Sequence, residues 1–511
     1  MDEHRPTTRR TRREALRAGL LLSAAALAAA CAPAASTPSK PAEPAKPAEA
    51  AKPAAPAAAP AKPVEAAKPA DASKPAAAAP AAKTGGPAGT VIASLGRDYL
   101  AYPDVKGTVQ FSNCWGGARI PLVDTWIKDF NAIYPGITIT NDVNDCPPLR
   151  EKQVTQIAGG SPPNVMMIKS DNTAFYAEQN AILPIDDLMA RDNVKKEWFY
   201  PGEFSTRTFG GKAYGLPNVT AGALHMLFVN TGLLEKIGVD PKKPITTWQD
   251  LDALVEPAKK AGLLVMDPAK ISTGITAHQL WTYANGGTYW DNDLKKITWT
   301  EPASLEAAEW LLQFVKAQGG KYESVATGGD PKNVMQPEEW APQKYLASVN
   351  GSWFFFQMQK FADVKYAAYD FPKNAKNPNS KGQTPTTGGW MFSIGRAAKD
   401  QEAAWEWIKF TTISQNACAF VEKQNRPSPA IPCNENPELA KNNPFWPVVT
   451  ANLQNNISVP TTSVEPQFEQ IEYDMLDSIL FERMPPKEAL ADGAQKAQAL
   501  LDEWNSKRKT G

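Results

Sequence analysis

The chain has 511 residues, and its 54 Lys and Arg residues balance its 54 Asp and Glu residues. The resulting net charge of zero argues against a nucleic-acid-binding surface, which requires clustered positive charge. The length exceeds what one hydrophobic core usually organises, so we expect two globular domains.

Residues 1–30 have the composition of an export signal. Four arginines at 9–13 precede an apolar segment at 18–30, which is too short to cross a bilayer because a spanning helix needs about 20 apolar residues. This order, ending in small residues, is that of a signal peptide. Residues 11–17 resemble a twin-arginine export signal, although Ala15 stands where that signal usually has Phe; a general secretory signal is the alternative.

A lipid anchor and a tether are expected next. Residues 28–31, Ala-Ala-Ala-Cys, resemble a bacterial lipobox, in which Cys31 becomes the lipidated N-terminus after cleavage; cleavage at an Ala-x-Ala site would instead leave a soluble secreted protein. Residues 32–89 are nearly all Ala, Pro and Lys, so they cannot form a core and we expect a disordered spacer. We therefore expect an extracytoplasmic protein, lipid-anchored to the cell membrane at the cell surface or in the periplasm.

Four cysteines follow the tether: Cys114, Cys146, Cys418 and Cys433. An even number of cysteines in an oxidising compartment favours disulfides. Local pairing, Cys114 with Cys146 and Cys418 with Cys433, is the simplest of the three connectivities. Buried free thiols are the alternative.

The globular part begins as a β/α unit. Val109 and Phe111 alternate with polar residues in a strand predicted at 108–113, and apolar residues then recur at helical spacing from Ile120 to Tyr134. A second strand begins at Ile137. The run at 164–168 lacks polar alternation, which is typical of a parallel strand covered on both faces. This alternation predicts an α/β fold with a doubly wound sheet.

No motif for catalysis is evident. The globular part has two histidines, His225 and His278, and neither has a partner at metal-ligand spacing, so we interpret both as core or hinge residues and expect no metal and no cofactor. A pair of carboxylates for glycoside hydrolysis stays open, because any two acids can converge in the fold.

Tryptophan is abundant, with 15 in the chain. Several lie beside glycine in loop-like contexts, at 115–117, 351–353 and 388–390. An indole ring in a loop can stack on the apolar face of a sugar, and packing in a core is the alternative for each one.

An ordered set of motifs identifies a resemblance across nearly all of residues 105–508. The motifs lie at 115–117 (Trp-Gly-Gly), 162–187, 214–217 (Tyr-Gly-Leu-Pro), 227–234, 246–251 (Thr-Thr-Trp-Gln-Asp-Leu), 285–287, 389–390 and 404–410. In this order they resemble the family 1 extracellular solute-binding proteins of ABC importers, which include maltose-binding and other sugar-binding proteins.

The resemblance implies a type II periplasmic-binding-protein fold with two doubly wound α/β lobes. The first lobe is expected at 105–220 and 388–430, and the second at 221–387 and 431–508. Hinge crossings are expected near 217–220, 386–388 and 426–429, and hinge motion would close the lobes on a ligand in the cleft.

The resemblance also implies site residues. Asp171 matches an acid that accepts hydrogen bonds from sugar hydroxyls, and Asn172 stands where relatives often have a basic residue. Trp353 matches a stacking aromatic of the second lobe, and Trp115 and Trp390 match positions at the cleft mouth and hinge. Further candidates are Asn113, Asn218, Tyr283, Gly389 and Arg426.

The function implied is capture of an extracellular carbohydrate and its delivery to the permease subunits of an ABC importer. We expect a monomer without nucleic-acid partners, held at the membrane by its lipid. The alternative is a surface-anchored carbohydrate-active enzyme, which would need two carboxylates about 5–10 Å apart.

Overall fold

The computed structural model describes residues 89–509 except 95–96, 147, 221–224, 272–274, 327–334, 341–343, 386–388 and 458. The predicted signal peptide, Cys31 and the tether up to residue 88 lie outside the described residues.

The strands and helices are numbered in chain order. The strands are β1 Thr90–Ser94, β2 Arg97–Ala101, β3 Gly107–Asn113, β4 Ile137–Val143, β5 Val165–Lys169, β6 Thr208–Phe209, β7 Lys212–Ala213, β8 Leu216–Val219, β9 Met226–Asn230, β10 Ala347–Asn350, β11 Tyr366–Tyr369 and β12 Trp390–Ile394. The helices are α1 Ile120–Ile133, α2 Leu149–Ala158, α3 Thr173–Glu178, α4 Asp186–Arg191, α5 Pro201–Ser205, α6 Thr231–Lys236, α7 Trp248–Lys260, α8 Ala277–Ala284, α9 Pro302–Gly319, α10 Tyr322–Val325, α11 Pro337–Trp340, α12 Trp353–Met358, α13 Gln401–Ile413, α14 Gln415–Glu422, α15 Pro437–Asn442, α16 Trp446–Asn455, α17 Glu465–Leu480 and α18 Pro486–Lys509. Among the helices described, none is long and apolar enough to cross a bilayer.

The first sheet has the strand order β4-β3-β5-β12-β8. β3 is parallel to β4 and β5, whereas β12 is antiparallel to both β5 and β8. The first four residues of β5 are buried, which confirms the prediction of a strand covered on both faces. The carboxyl ends of β3 and β5 therefore lie at one edge of the sheet, and β12 begins at that same edge.

The second sheet has the order β10-β9-β11, and both pairings are antiparallel. Its central strand β9 is buried throughout. This described sheet differs from the parallel arrangement expected for a doubly wound lobe. The last residue of β10, Asn350, pairs with the first residue of β9, Met226. These two strand ends therefore lie together at one edge of the sheet.

Hydrophobic clusters divide the described chain between the two sheets. One set draws its residues from Tyr99 to Val219 and from Met391 to Cys433. The other set draws its residues from Met226 to Phe371 and from Leu439 to Trp504. The first core therefore extends beyond the expected limits of 105 and 430, because it also buries Tyr99, Ala101 and Cys433.

A β-hairpin that the sequence patterns did not predict precedes the first lobe. Strands β1 and β2 pair antiparallel. The amide of Leu100 donates to Asp192 O at 3.0 Å, and its carbonyl accepts from Lys409 Nζ at 2.6 Å. The same buried ammonium pairs with the Asp192 and Glu406 carboxylates. The hairpin is held by partners far along the chain, so its own short sequence carries little signal.

Both disulfides of the simplest pairing are present in the structure, Cys114–Cys146 and Cys418–Cys433, each with a Cα–Cα distance of 4.9 Å. The first joins the end of β3 to the loop after β4. The second joins α14 to the 3-10 turn Ile431–Glu435. Both lie in the first lobe and brace segments next to the sheet edge at which β3 ends.

Reduction of the disulfides is expected to lower the urea midpoint of unfolding. Closing the 15-residue separation of Cys418 and Cys433 restricts the unfolded chain and contributes about 3 kcal/mol. The measurement is unfolding in urea with and without a phosphine reductant. A variant with all four cysteines changed to Ala is the control and should not respond; an equal midpoint for the wild type in both conditions would contradict the bridges.

Candidate functional site

Polar residues gather at the edge of the first sheet where β3 and β5 end. The turn Ser170–Asn172 follows β5 directly. Its first amide, that of Ser170, donates to Gly389 O at 2.8 Å, and Trp390 pairs with Lys169. Asp171 is buried in this turn, whereas Trp390 stays partly exposed. The edge thus brings together three of the predicted residues: Asp171, Gly389 and Trp390.

The matching edge of the second sheet contains Trp353. This residue begins α12, three residues after β10 ends at Asn350, and its side chain is partly exposed. A Cβ on Gly351 would lie 1.9 Å from Cζ3 of Trp353, so the indole lies against the bare Cα of the glycine. Gly351 is therefore required for this orientation of the ring.

The two lobes contact each other beside these edges. The guanidinium of Arg119, in the turn after β3, lies 6.0 Å from the ring centre of Phe356 in α12. Elsewhere, Trp504 Nε1 in α18 donates to Glu178 Oε2 in α3 at 3.1 Å. The charges of Glu465 and Glu469 in α17 also act on Asp171 across the lobes. The two sheet edges therefore border a common cleft.

An acidic group lies where the lobes meet: Asp171, Glu465 and Glu469, with Glu472 buried next to them on the second-lobe side beside Thr276. Burial raises the pKa of Glu472 to about 8. The hydrogen bond that Thr276 Oγ1 donates to Glu472 Oε2 at 2.7 Å opposes this rise. Burial also raises the pKa of Asp171, which the charge of Lys169 opposes. Glu465 Oε2 and Glu472 Oε1 are shielded from solvent and have no hydrogen-bond partner among the described residues. Such oxygens are open to donors from a ligand.

Glu472→Gln is expected to change how stability depends on pH. Because the folded-state pKa of Glu472 is raised to about 8, its protonation stabilises the fold fully below the ordinary Glu pKa, and this contribution is lost as pH rises to 8. The loss is on the order of 1.4 kcal/mol per pH unit inside that window. The amide of the variant stays neutral and still accepts from Thr276.

The measurement is urea unfolding of ligand-free protein at pH 5 and pH 7.5. The wild type should lose stability relative to Glu472→Gln between the two values. A parallel pH response in both proteins would show that Glu472 does not titrate in this range.

A buried ion pair braces the hinge side of the first lobe. Arg207 Nη2 lies 3.3 Å from Glu203 Oε2, and neither side chain is exposed. The same nitrogen donates to the carbonyls of Val219, at 3.3 Å, and Trp390, at 3.4 Å. Glu203 in turn accepts a hydrogen bond from Thr220 Oγ1. The Arg207 guanidinium thus joins the end of β8 to the start of β12, next to two of the predicted hinge crossings.

Two of the predicted ligand-binding residues, Asn113 and Trp115, already contact other residues inside the first lobe. Asn113 Nδ2 donates to Phe111 O and Asn141 Oδ1, and its Oδ1 accepts from the amide of Trp115 at 2.9 Å. The Trp115 indole is 4% exposed and packs against the ring of Phe420, among others. The structure therefore corrects the expected position of Trp115 at the cleft mouth, because its ring packs in the first core.

The remaining predicted site residues differ in how fully hydrogen bonds and packing within the protein already occupy their side chains. Asn172 Nδ2 donates to Asp171 Oδ1 at 3.0 Å, beside the acidic group. Asn218 Nδ2 donates to Thr411 O at 2.7 Å, while its buried Oδ1 has no partner within the described chain. Tyr283 packs in the second-lobe core, although the charges of Glu465 and Glu472 reach it. Its role as a ligand contact stays a prediction.

Arg426 is 3% exposed, and its Nε and Nη2 have no hydrogen-bond partner among the described residues. Burial, together with the charge of Arg119, lowers the pKa of its guanidinium to about 9, and the charge of Glu203 opposes this shift. An unpaired cation in this position contrasts with the paired Arg207 nearby.

Several residues with open polar atoms were missed by sequence reasoning. Ser170 Oγ, Ser352 Oγ and both ring nitrogens of His225 are buried and lack partners in the described part of the chain, as do the oxygens of Glu465 and Glu472. A signal existed for the two acids, because they share the α17 face that carries Phe468 and Ile479. An acid on an apolar face marks a polar site within a core.

Both histidines of the described residues, His225 and His278, are buried and neutral. Burial lowers the pKa of His225 to about 3 and that of His278 to about 4. His278 Nε2 lies 3.0 Å from Ser304 O, in the second-lobe core. Across the described ranges, no group of three or more His, Cys, Asp or Glu side chains is arranged to hold a metal ion.

Comparisons with known proteins agree with this architecture. The family model of bacterial extracellular solute-binding proteins matches residues 121–413. A binding protein of Brucella abortus is 24% identical over 75% of this chain and 90% of its own length. The sn-glycerol-3-phosphate-binding periplasmic protein UgpB of Escherichia coli is 19% identical over 82% of this chain and 98% of its own. The structure of a solute-binding protein from Thermotoga lettingae bound to α-D-tagatose superposes with a TM-score of 0.65 at 20% identity, over 78% of this chain and all of that one.

Proposed function

The chain belongs to the bacterial extracellular solute-binding proteins, and we propose that it captures a carbohydrate outside the cytoplasm and delivers it to the permease of an ABC importer. The fold is the two-lobed, type II periplasmic-binding-protein fold. We further propose that it acts as a monomer, without a cofactor, and that the lobes comprise 105–220 with 388–430 and 221–387 with 431–508, the first lobe also taking in the buried residues Tyr99, Ala101 and Cys433.

The observation that carries this proposal is the pairing of two sheet edges across one cleft. The first edge supplies a buried carboxylate, Asp171, and the second supplies a partly exposed indole, Trp353, supported on Gly351. Open acceptor oxygens on Glu465 and Glu472 suit the hydroxyl donors of a sugar. An indole face and hydroxyl acceptors together match the two kinds of surface that a sugar presents.

Hinge motion gives such a cleft its function. The Arg207–Glu203 pair holds the end of β8 and the start of β12 together within the first lobe, next to two of the proposed hinge crossings. The proposed crossing at 386–388 lies outside the described residues. Contacts between the lobes, such as Trp504 with Glu178, are then made or broken as a unit. A ligand that bridges the edges stabilises the closed arrangement, which the permease would receive.

The test is a thermal-shift screen over sugars and polyols, combined with chromatography of the same mixtures. Stabilisation without new products supports a binding protein, because a ligand bound to the folded state raises the unfolding temperature. Release of shorter products would instead support the carbohydrate-active enzyme, and no stabilisation by any compound would contradict carbohydrate binding.

Trp353→Ala is expected to weaken sugar binding by more than about 1 kcal/mol, because the variant loses the stacking surface. Trp353→Phe is the matched control and should retain most of the affinity. Isothermal titration gives the dissociation constants, and the unfolding temperature of the ligand-free variants shows that the fold is retained. Equal affinity of the Ala variant and the wild type would remove Trp353 from the site.

Attachment to the membrane is proposed to depend on Cys31, which would carry the lipid. Cys31→Ser is expected to release the protein from the membrane fraction of expressing cells, since a thiol is needed for acylation. Fractionation and immunoblotting measure the distribution, with a Ser36→Ala variant in the tether as control. A variant that stays fully with the membrane would contradict the lipobox.

A further inference from the structure

Arg426 has an unusual environment for an arginine. Its side chain is 3% exposed, yet Nε and Nη2 have no hydrogen-bond partner and the guanidinium forms no ion pair among the residues described. Arginine is rarely buried without a partner, because removing its charge from water is costly. A counter-charge from outside the described residues is therefore needed to compensate this charge.

A second arginine increases the local positive charge. Arg119 lies close enough for its charge to lower the pKa of Arg426. Arg119 Nε donates to the neutral Gln424 Oε1 at 3.1 Å, and the described structure gives this arginine no carboxylate partner either. The two guanidiniums therefore repel each other without a shared counter-charge from the described part of the chain.

The carboxylate that acts on Arg426 is already engaged. Glu203 forms the ion pair with Arg207 at 3.3 Å and accepts from Thr220 Oγ1. Its negative charge therefore acts on two guanidiniums, those of Arg207 and Arg426. The charge of Asp171, in the acidic group, acts on Arg207 but is not among the charges that act on Arg426.

The arginine pair borders the cleft. Arg119 lies over the ring of Phe356, one helical turn after Trp353 in α12. It follows β3, whose end lies at the ligand edge of the first sheet. A ligand that stacks on Trp353 is therefore near Arg119 and its neighbour.

We propose that the solute carries an oxyanion, a carboxylate or a phosphate, and that Arg426 and Arg119 bind it. This inference rests on the proposed function and narrows its ligand to an acidic sugar or polyol. The guanidinium fork matches the two oxygens of either oxyanion. The hydroxyls of the same ligand would be accepted by the acidic group.

The experiment compares acidic compounds with their neutral counterparts: galacturonate with galactose, glucuronate with glucose, and glycerol 3-phosphate with glycerol. Thermal shift and isothermal titration at two salt concentrations measure binding. We expect the acidic member of at least one pair to bind about tenfold or more tightly than its neutral counterpart, and more weakly at high salt. The uronates and the phosphate ester separate the two sources of oxyanion.

Arg426→Met should weaken binding of that acidic compound at least about tenfold while leaving the unfolding temperature of the ligand-free protein unchanged or higher. Lys423→Met removes an exposed positive charge nearby and is the control. Arg119→Met provides the second variant if Arg426→Met does not fold. A purely structural role for Arg426 would instead lower the ligand-free unfolding temperature.

The outcomes separate the two proposals. Tight binding of neutral members with no preference for acidic ones overturns the oxyanion site and leaves carbohydrate binding intact. Unchanged affinity for the acidic compound in both arginine variants also overturns it. Binding of no member of any pair overturns both proposals.

Discussion

The buried ion pair between Arg207 and Glu203 is the interaction on which the geometry of the cleft depends. It joins the ends of β8 and β12, where the chain approaches two of the proposed hinge crossings. Breaking such a pair costs about 3–5 kcal/mol, because the remaining charge is left buried and uncompensated. The first-lobe edge is therefore a rigid platform for the proposed closure of the lobes. This rigidity also fixes Trp390, whose carbonyl is one of the acceptors.

The cleft leaves several charges and polar atoms uncompensated by the described part of the chain. Carboxyl oxygens of Glu465 and Glu472 have no hydrogen-bond partner among the described residues, and neither do Nε and Nη2 of Arg426. Packed cores normally satisfy buried polar groups, so a concentration of open groups at one place is a cost to stability that a ligand can offset. The raised pKa of Glu472 and the lowered pKa of Arg426 have this common cause, burial without sufficient partners. In the proposed site, affinity and charge preference would thus arise from the same feature.

Sequence patterns predicted strands and helices more successfully than the contacts that individual side chains make. The strand at 108–113 is β3, Gly107–Asn113, and the apolar stripe from Ile120 is α1. Glycine beside tryptophan is one pattern in the sequence, yet it describes two situations: Trp353 lies on Gly351 at the cleft, whereas Trp115 packs inside the first core. The local sequence of the two is alike, and only the neighbours in space differ. The hairpin β1–β2 was missed for a related reason, since distant Lys409 and Asp192 hold it.

Local sequence patterns were sufficient for the first strands and helix of the first lobe, the candidate disulfide partners and the expectation of export, because periodicity, turn residues and composition act over short stretches of chain. The sequence also contained ordered motifs sufficient for the family. Which polar groups are left without partners follows from the tertiary structure alone, because it depends on residues remote in sequence. Asp171 meets Glu465 across the two lobes, and Arg426 lies beside Arg119 rather than beside an acid. Burial and the neighbours in space set the electrostatic character of the site, and neither is a property of a local segment.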